Sequence, residues 1–150
     1  MNIIDLQFIA VNMRAKDRAE IYGMRWDDDP DKVASETFYA VKSCGTGRIF
    51  YLGNEPVSVV GGIERHPGVW YAFAYGTDKW NKVAKSLSAY AKSELAPYLF
   101  ERAHRIECQS RYDHGTSHRW LEWLGAHRES VLAGFGKDGA DYFNYVWIRK

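Results

Sequence analysis

The residues most ready for chemistry in this chain are three lysines at one helix start. Thr77 follows an aromatic run, Val69–Tyr75, and opens a helical pattern with Lys79, Lys82 and Lys85 in its first turns. A cation near a helix N-terminus opposes the helix dipole by roughly 0.3–1 kcal/mol. The conflict is eased where an anion sits nearby, and free N–H groups at a helix start suit phosphate. The plain alternative is a solvated lysine face. Asp113, His114 and His118 form a second cluster. His-x-x-x-His can hold a metal, but His114 precedes Gly115 and falls outside the predicted helix, with no third or fourth ligand nearby. A cleft border or helix cap is the simpler reading, with Thr116 or Ser117 as the N-cap. Asp27–Asp29 likewise reads as a cap and loop rather than a cation site. The sequence has no Walker loop, nucleophile elbow or glycine-rich dinucleotide fingerprint.

The elements that must position these residues follow from the apolar pattern. Ile3–Val11 reads as a first strand and Met13–Met24 as a short helix. Asp29 and Pro30 supply an N-cap and a first helical residue, Val33, Ala34, Phe38 and Val41 follow at helical spacing, and Gly45 ends the element. Arg48–Leu52 and Pro56–Glu64 read as a hairpin around Gly53-Asn54-Glu55, and His66-Pro67-Gly68 turns the chain into Val69–Tyr75. That strand alternates Trp70 on one face with Tyr71, Phe73 and Tyr75 on the other. The Thr77 helix carries Trp80, Val83, Ala84, Leu87, Ala91 and Leu95 on one stripe. Pro97 interrupts or kinks it, with a further turn over Tyr98–Ala103. Arg105–Arg111 is a strand, Thr116–Leu124 a helix ended by Gly125, and Arg128–Phe135 with Asp141–Arg149 a last hairpin around Gly136-Lys137-Asp138-Gly139. Strand, long helix, strand predicts a parallel pair joined by a right-handed crossover. The flanking hairpins add antiparallel strands, so the expected fold is α/β with a mixed sheet.

Composition narrows the class. At 150 residues, 46% hydrophobic and 26% charged, with no repeat or linker-like stretch, the chain reads as one domain over 1–150. A formal charge of +1 gives no overall field for nucleic acid, although lysines and aromatics interleave on the Thr77 helix. Six Trp and ten Tyr point to an aromatic core or cleft. Trp120, Leu121, Trp123 and Leu124 belong to that core. Cys44 and Cys108 are too few for a disulfide framework. There is no signal-like N-terminus and no apolar stretch near the ~20 residues that cross a bilayer, so the expectation is a soluble, cytoplasmic protein.

The element order, with a short helix ending in Leu124-Gly125-Ala126 before the closing hairpin, resembles the GNAT superfamily of acyl-CoA-dependent N-acetyltransferases. Val69–Lys85 and the run Gly115-Thr116-Ser117-His118-Arg119-Trp120-Leu121-Glu122-Trp123-Leu124-Gly125-Ala126 resemble small GNAT-like proteins of short-tailed phages. The likeness covers about Val57 to the end; the first third matches in element order. It implies acetyl-CoA bound between two splayed parallel strands, here Val69–Tyr75 and Arg105–Arg111, with pyrophosphate on the following helix start. The implied cofactor-binding residues are Tyr75, Thr77, Lys79, Asn81, Lys82, Val83 and Ala84. Where the superfamily carries Gln/Arg-x-x-Gly-x-Gly/Ala, this chain has Lys79-Trp80-Asn81-Lys82-Val83-Ala84, with Lys82 in place of the central glycine. Leu121 stands where many members place an acid Tyr. Tyr112 and His118 are the candidate substitutes, and Glu64 and His66 the candidate bases.

Two functions follow from the resemblance. The first is transfer of an acetyl group from acetyl-CoA to an amine, protein amines included. The second is a catalytically degenerate phage protein that acts in internal virion assembly or binds a host protein; for a phage-encoded chain the site of action is the host cytoplasm. Lys82 and Leu121 favour the second, the basic helix start the first.

Overall fold

The computed structural model describes residues 1–149. Its elements are α1 (Ile3–Val11), α2 (Ala15–Tyr22), α3 (Pro30–Cys44), β1 (Gly45–Leu52), β2 (Glu55–His66), β3 (Val69–Gly76) and α4 (Trp80–Tyr90). A π-helical turn, Ala91–Leu95, joins α4 to α5 (Ala96–Arg102); β4 (Arg105–Arg111), α6 (Gly115–Trp123), β5 (His127–Leu132) and β6 (Tyr142–Ile148) complete the chain. The strands form one mixed sheet in the order β1-β2-β3-β4-β6-β5, in which only β3 and β4 run parallel. Helices α1 and α3 pack on one face around Leu6, Ile9, Val59 and Tyr75. Helices α4 and α5 cover the other around Trp70, Leu87 and Leu99. The predicted mixed α/β sheet and its parallel pair are both present. Among the described residues, no helix is long and apolar enough to cross a membrane.

Four local expectations are corrected. Ile3–Val11 is a helix rather than a strand. The Asn2 side chain accepts a hydrogen bond from the Ile4 N–H at 2.8 Å, and Leu6, Ile9 and Ala10 face the core. This run is apolar on nearly every side, so no period in it separates helix from strand. The Thr77 helix begins three residues later, at Trp80. Thr77 still belongs to the sheet: its N–H donates to the Val57 carbonyl, and it bridges Met13. Its hydroxyl accepts from the Lys79 N–H at 3.3 Å, so it closes the turn before the helix. Helix α6 begins at Gly115 with His114 as N-cap, ahead of Thr116 and Ser117. The His114 N–H donates to the Arg111 carbonyl, and its ring is held by Asp17, which fixes the turn at that residue. Pro97 breaks nothing. A π turn precedes it, and helix continues to Arg102.

What positions the site is the divergence of the parallel pair. Register holds only for Val69–Tyr71 against Arg105–Glu107. Beyond Tyr71, β4 continues to pair with β6, while β3 leaves its side and stays paired with β2. Helix α2 crosses the open end. Asp17 Oδ2 accepts from the Gly76 N–H at 2.9 Å and from Arg14 Nε at 2.8 Å, and Oδ1 accepts from His114 Nε2 at 2.7 Å. One turn on, Glu20 Oε1 accepts from the Arg111 N–H at 2.8 Å. The last residue of β3 and the last of β4 are thus each bound by a carboxylate of one short helix.

Two stability outcomes follow. Leu6→Ala, in a helix and fully buried, should cost about 2–5 kcal/mol in urea unfolding. Asp17→Ala should cost about 3–5 kcal/mol by stranding buried partners. A double-mutant cycle with His114→Ala should show that the two losses do not add; additive losses would break the proposed pairing.

Candidate active site

The divergence of β3 from β4 opens a cavity of about 120 Å³ that passes through the sheet. Glu20, Ile21 and Met24 of α2 and its following turn line one side; Leu95, Leu99 and Trp120 line the other. Between them lies the β3 segment Ala72–Tyr75, whose β4-facing edge has no partner strand. A backbone edge in an apolar cleft is a row of donors and acceptors set to bind an extended amide-bearing chain.

Few polar groups reach this space. Glu20 is buried, and no basic side chain pairs with it among the described residues. Burial raises its pKa; the charge of His114, the Ser110 hydroxyl and the Arg111 N–H oppose the shift. Ser110, also buried and cleft-lining, faces the carboxylate but makes no full hydrogen bond of its own. The Tyr71 phenol and Cys108 thiol, both lining the cleft, are pushed up chiefly by burial, so Cys108 is an inert thiol rather than a nucleophile. Tyr75 is pushed up to about 12 by burial, and its hydroxyl bonds Thr37 Oγ1 at 2.8 Å. Asp17, Glu20 and His114 bring one ligand-type atom each within 4.8 Å of the others. Arg14, Gly76 and His114 already occupy the Asp17 oxygens, so a guanidinium supplies the positive charge that a metal would bring.

The residues singled out from the sequence fall in three places. Tyr75 lines the cleft. Thr77, Lys79, Asn81, Lys82, Val83 and Ala84 lie at or just before the start of α4, beside the open end of the splay; Thr77 and Val83 are buried, and Lys79, Asn81 and Lys82 exposed. The Lys79 ammonium pairs with Glu55 at 2.8 Å, whereas Lys82 has no carboxylate partner among the described residues. Glu64 and His66 are exposed at the closed end of the strand pair, opposite Trp70 and Val69. Glu64 accepts from the Gly68 N–H at 3.3 Å and serves the turn. Tyr112 is exposed beyond β4, outside the cleft lining. His118 is buried, stacks on Tyr145 and donates from Nε2 to the Arg111 carbonyl at 2.8 Å. Burial, its largest influence, holds the His118 pKa below the ordinary value.

Sequence reasoning missed Glu20, Ser110, Asp17 and Arg14. Nothing in Ala15–Tyr22 marks Asp17 and Glu20 as buried, because their i, i+3 spacing beside Arg14 and Arg18 reads as a solvated helix face. Arg14 stacks over Trp80 at 4.2 Å from the ring centroid, which places a second cation at the start of α4. Ser110, in line with Ile106 and Cys108 on the buried face of β4, was the one available signal.

No protein-family model and no curated protein sequence matches the chain. Solved structures do. A ribosomal-protein-alanine N-acetyltransferase from Brucella melitensis superposes with a TM-score of 0.75 at 13% identity, over 99% of this chain and 97% of that one. Mycobacterium smegmatis RimJ, in complex with CoA-disulfide, gives 0.70 at 15% identity over 99% and 79% of the two chains. An acetyltransferase of the GNAT family from Bacillus anthracis gives 0.61 at 15% identity over 99% and 91%. The chain has the fold of the GNAT acetyltransferases.

Proposed function

We propose that this protein is an N-acetyltransferase that moves an acetyl group from acetyl-CoA to an amine. The observation that carries the reading is the splayed parallel pair, with the unpaired edge of Ala72–Tyr75 facing an apolar cleft. The cosubstrate fits this site on two counts. The free β3 edge matches an amide-bearing arm, and the buried Ser110 hydroxyl in the cleft lacks a partner. At the helix start the fit differs from the superfamily pattern. The N–H groups of Lys79, Trp80 and Lys82 already donate within their own turn. Charge is therefore left to hold a pyrophosphate, from the Lys82 ammonium with the dipole of α4.

Acetyl-CoA, when bound, supplies an acyl group activated as a thioester. Tyr75, Thr77, Lys79, Asn81, Lys82, Val83 and Ala84 make up the cofactor side in this reading. Glu64, His66, Tyr112 and His118 are the catalytic candidates that the sequence offers; of these, His118 lies near the cleft wall formed by Leu121, with its Nε2 proton committed to the Arg111 carbonyl.

A second reading, a GNAT-shaped protein without catalysis that binds a host or phage protein, draws on Lys82 where glycine is usual and on Leu121. Leu121 lines the cleft and brings no phenol to it. A stable stoichiometric partner recovered from cells, without CoA turnover, would favour it.

Calorimetry separates the two. Wild-type protein should bind acetyl-CoA at micromolar concentration, and Lys82→Glu should weaken binding about tenfold or more, near 1.4 kcal/mol. Lys79→Ala, which removes a side chain already paired with Glu55, should change affinity by less than about threefold. Absence of binding at millimolar acetyl-CoA would sink the transferase reading.

A further inference from the structure

We infer that the α5 side of the cleft is a chamber for an unbranched acyl chain longer than acetyl, with Ala96 and Leu99 setting its length. The inference rests on the transferase reading for the CoA part of that donor; the chamber itself belongs to the fold.

Small residues open the chamber. On the face of the sheet turned to α4 and α5, Ala72 pairs with Gly62 and Ala74 with Val60. Cross-strand partners share a face, and both alanines pack on the cluster that holds Trp70, Leu95, Leu99 and Ile106. Beyond Trp70, β3 therefore presents only methyl groups where a larger side chain would fill the space. Opposite them stand Leu95 of the π turn with Ala96 and Leu99 of α5. Trp147, the partner of Ile106 on β6, closes the end at which the strands are still paired.

This side offers nothing to a polar ligand. The polar side chains that line the cavity are Glu20 on α2, Gln109 and Ser110 near the end of β4, Ser117 on α6, and the phenols of Tyr71 and Tyr75. Tyr71 and Tyr75 alternate to the other face of β3 from Ala72 and Ala74. Both indole N–H groups are engaged: Trp147 donates to the Leu124 carbonyl at 3.0 Å and Trp120 to Ser88 Oγ at 2.9 Å. A charged tail would lose its hydration there without a new partner.

The course of the donor then follows. With pyrophosphate at the start of α4 and the amide arm along the free edge from Tyr75 to Ala72, the thioester arrives where β3 rejoins β4, at Tyr71. From that point the acyl chain leaves the plane of the sheet. Toward α2 it would take further solvation from the buried Glu20 carboxylate; toward α5 the wall is hydrocarbon. Acetyl ends at its methyl and leaves that wall uncovered. The cavity measures about 120 Å³. An engineered cavity of about 150 Å³ lined by leucine, isoleucine and phenylalanine holds benzene, which sets the chain this one covers at roughly four to six carbons.

The test is calorimetry of the full chain with acetyl-CoA, hexanoyl-CoA and succinyl-CoA. Each buried CH2 raises affinity up to about fourfold, so hexanoyl-CoA should bind about tenfold or more tighter than acetyl-CoA. Succinyl-CoA, whose chain ends in a carboxylate, should bind no better than acetyl-CoA. Ala96→Leu, at a half-buried helical position that suits leucine, should bring the hexanoyl-to-acetyl ratio below about threefold. Leu99→Ala should deepen the chamber and make octanoyl-CoA the tightest ligand. These ratios compare ligands on one protein, so a lower stability of either variant does not enter them. Equal affinity for acetyl- and hexanoyl-CoA, succinyl-CoA binding as tightly as hexanoyl-CoA, or a ratio that neither variant moves overturns the inference and leaves the transferase reading standing. If no thioester binds, the transferase reading falls and 1-hexanol decides the chamber. Saturable hexanol binding that Ala96→Leu abolishes supports the chamber, and binding that is absent or indifferent to Ala96→Leu overturns it.

Discussion

Two carboxylates one turn apart on a helix of eight residues govern this fold. Parallel strands that stop pairing after three residues have ends that must be satisfied elsewhere. Asp17 takes the last N–H of β3 and Glu20 the last N–H of β4, so α2 fixes how far apart the strands stand. Because the spacing between i and i+3 on a helix is set by its geometry, the width of the opening is set by α2 rather than by the strands. Arg14 and His114 then extend the same network to the starts of α4 and α6, through the stack on Trp80 and the hydrogen bond to Asp17.

The arrangement holds its two carboxylates differently. Asp17 is surrounded by donors, and removing it would strand several of them. Glu20 faces a cavity, and what holds it there is the hydrogen bond it accepts from the Arg111 N–H at the end of β4. The surrounding wall gains nothing from the charge, since Tyr71 and Cys108 are both made harder to ionise by the same low-dielectric setting.

How much of this was legible in the residues depends on range. The strands from Gly45 onward, the parallel pair and the closing hairpin follow from alternation and turn chemistry, which are local. Asp29-Pro30 announced α3, and the Asp29 side chain does accept from the Asp31 N–H. Ile3–Val11 failed because an apolar run that is buried on one side and exposed at Ile4, Phe8 and Val11 carries no decisive period. Thr77 was read one turn too far inward, since its sheet contacts with Val57 and Met13 are long-range. On the site, the basic helix start could be read, and so could the aromatic strand. Glu20 could not, because its place in the cleft wall and its hydrogen bond to the Arg111 N–H exist only after folding. Glu64 and His66 suggested themselves by type and position, and the register of β2 on β3 puts both at the closed end of the pair.

The π turn at Ala91–Leu95 carries a geometric consequence. Residues four apart in an α-helix advance around the axis by about 40° beyond a full turn. Leu87, Ala91, Leu95 and Leu99 repeat at that interval, and in unbroken α-helix they would spiral off the sheet. The wider turn in the middle rotates backward and cancels the drift, so all four remain buried. Three of them, Ala91, Leu95 and Leu99, form one wall of the cleft. One additional residue per turn acts there as a phase correction, keeping Ala91, Leu95 and Leu99 on one wall of the cavity.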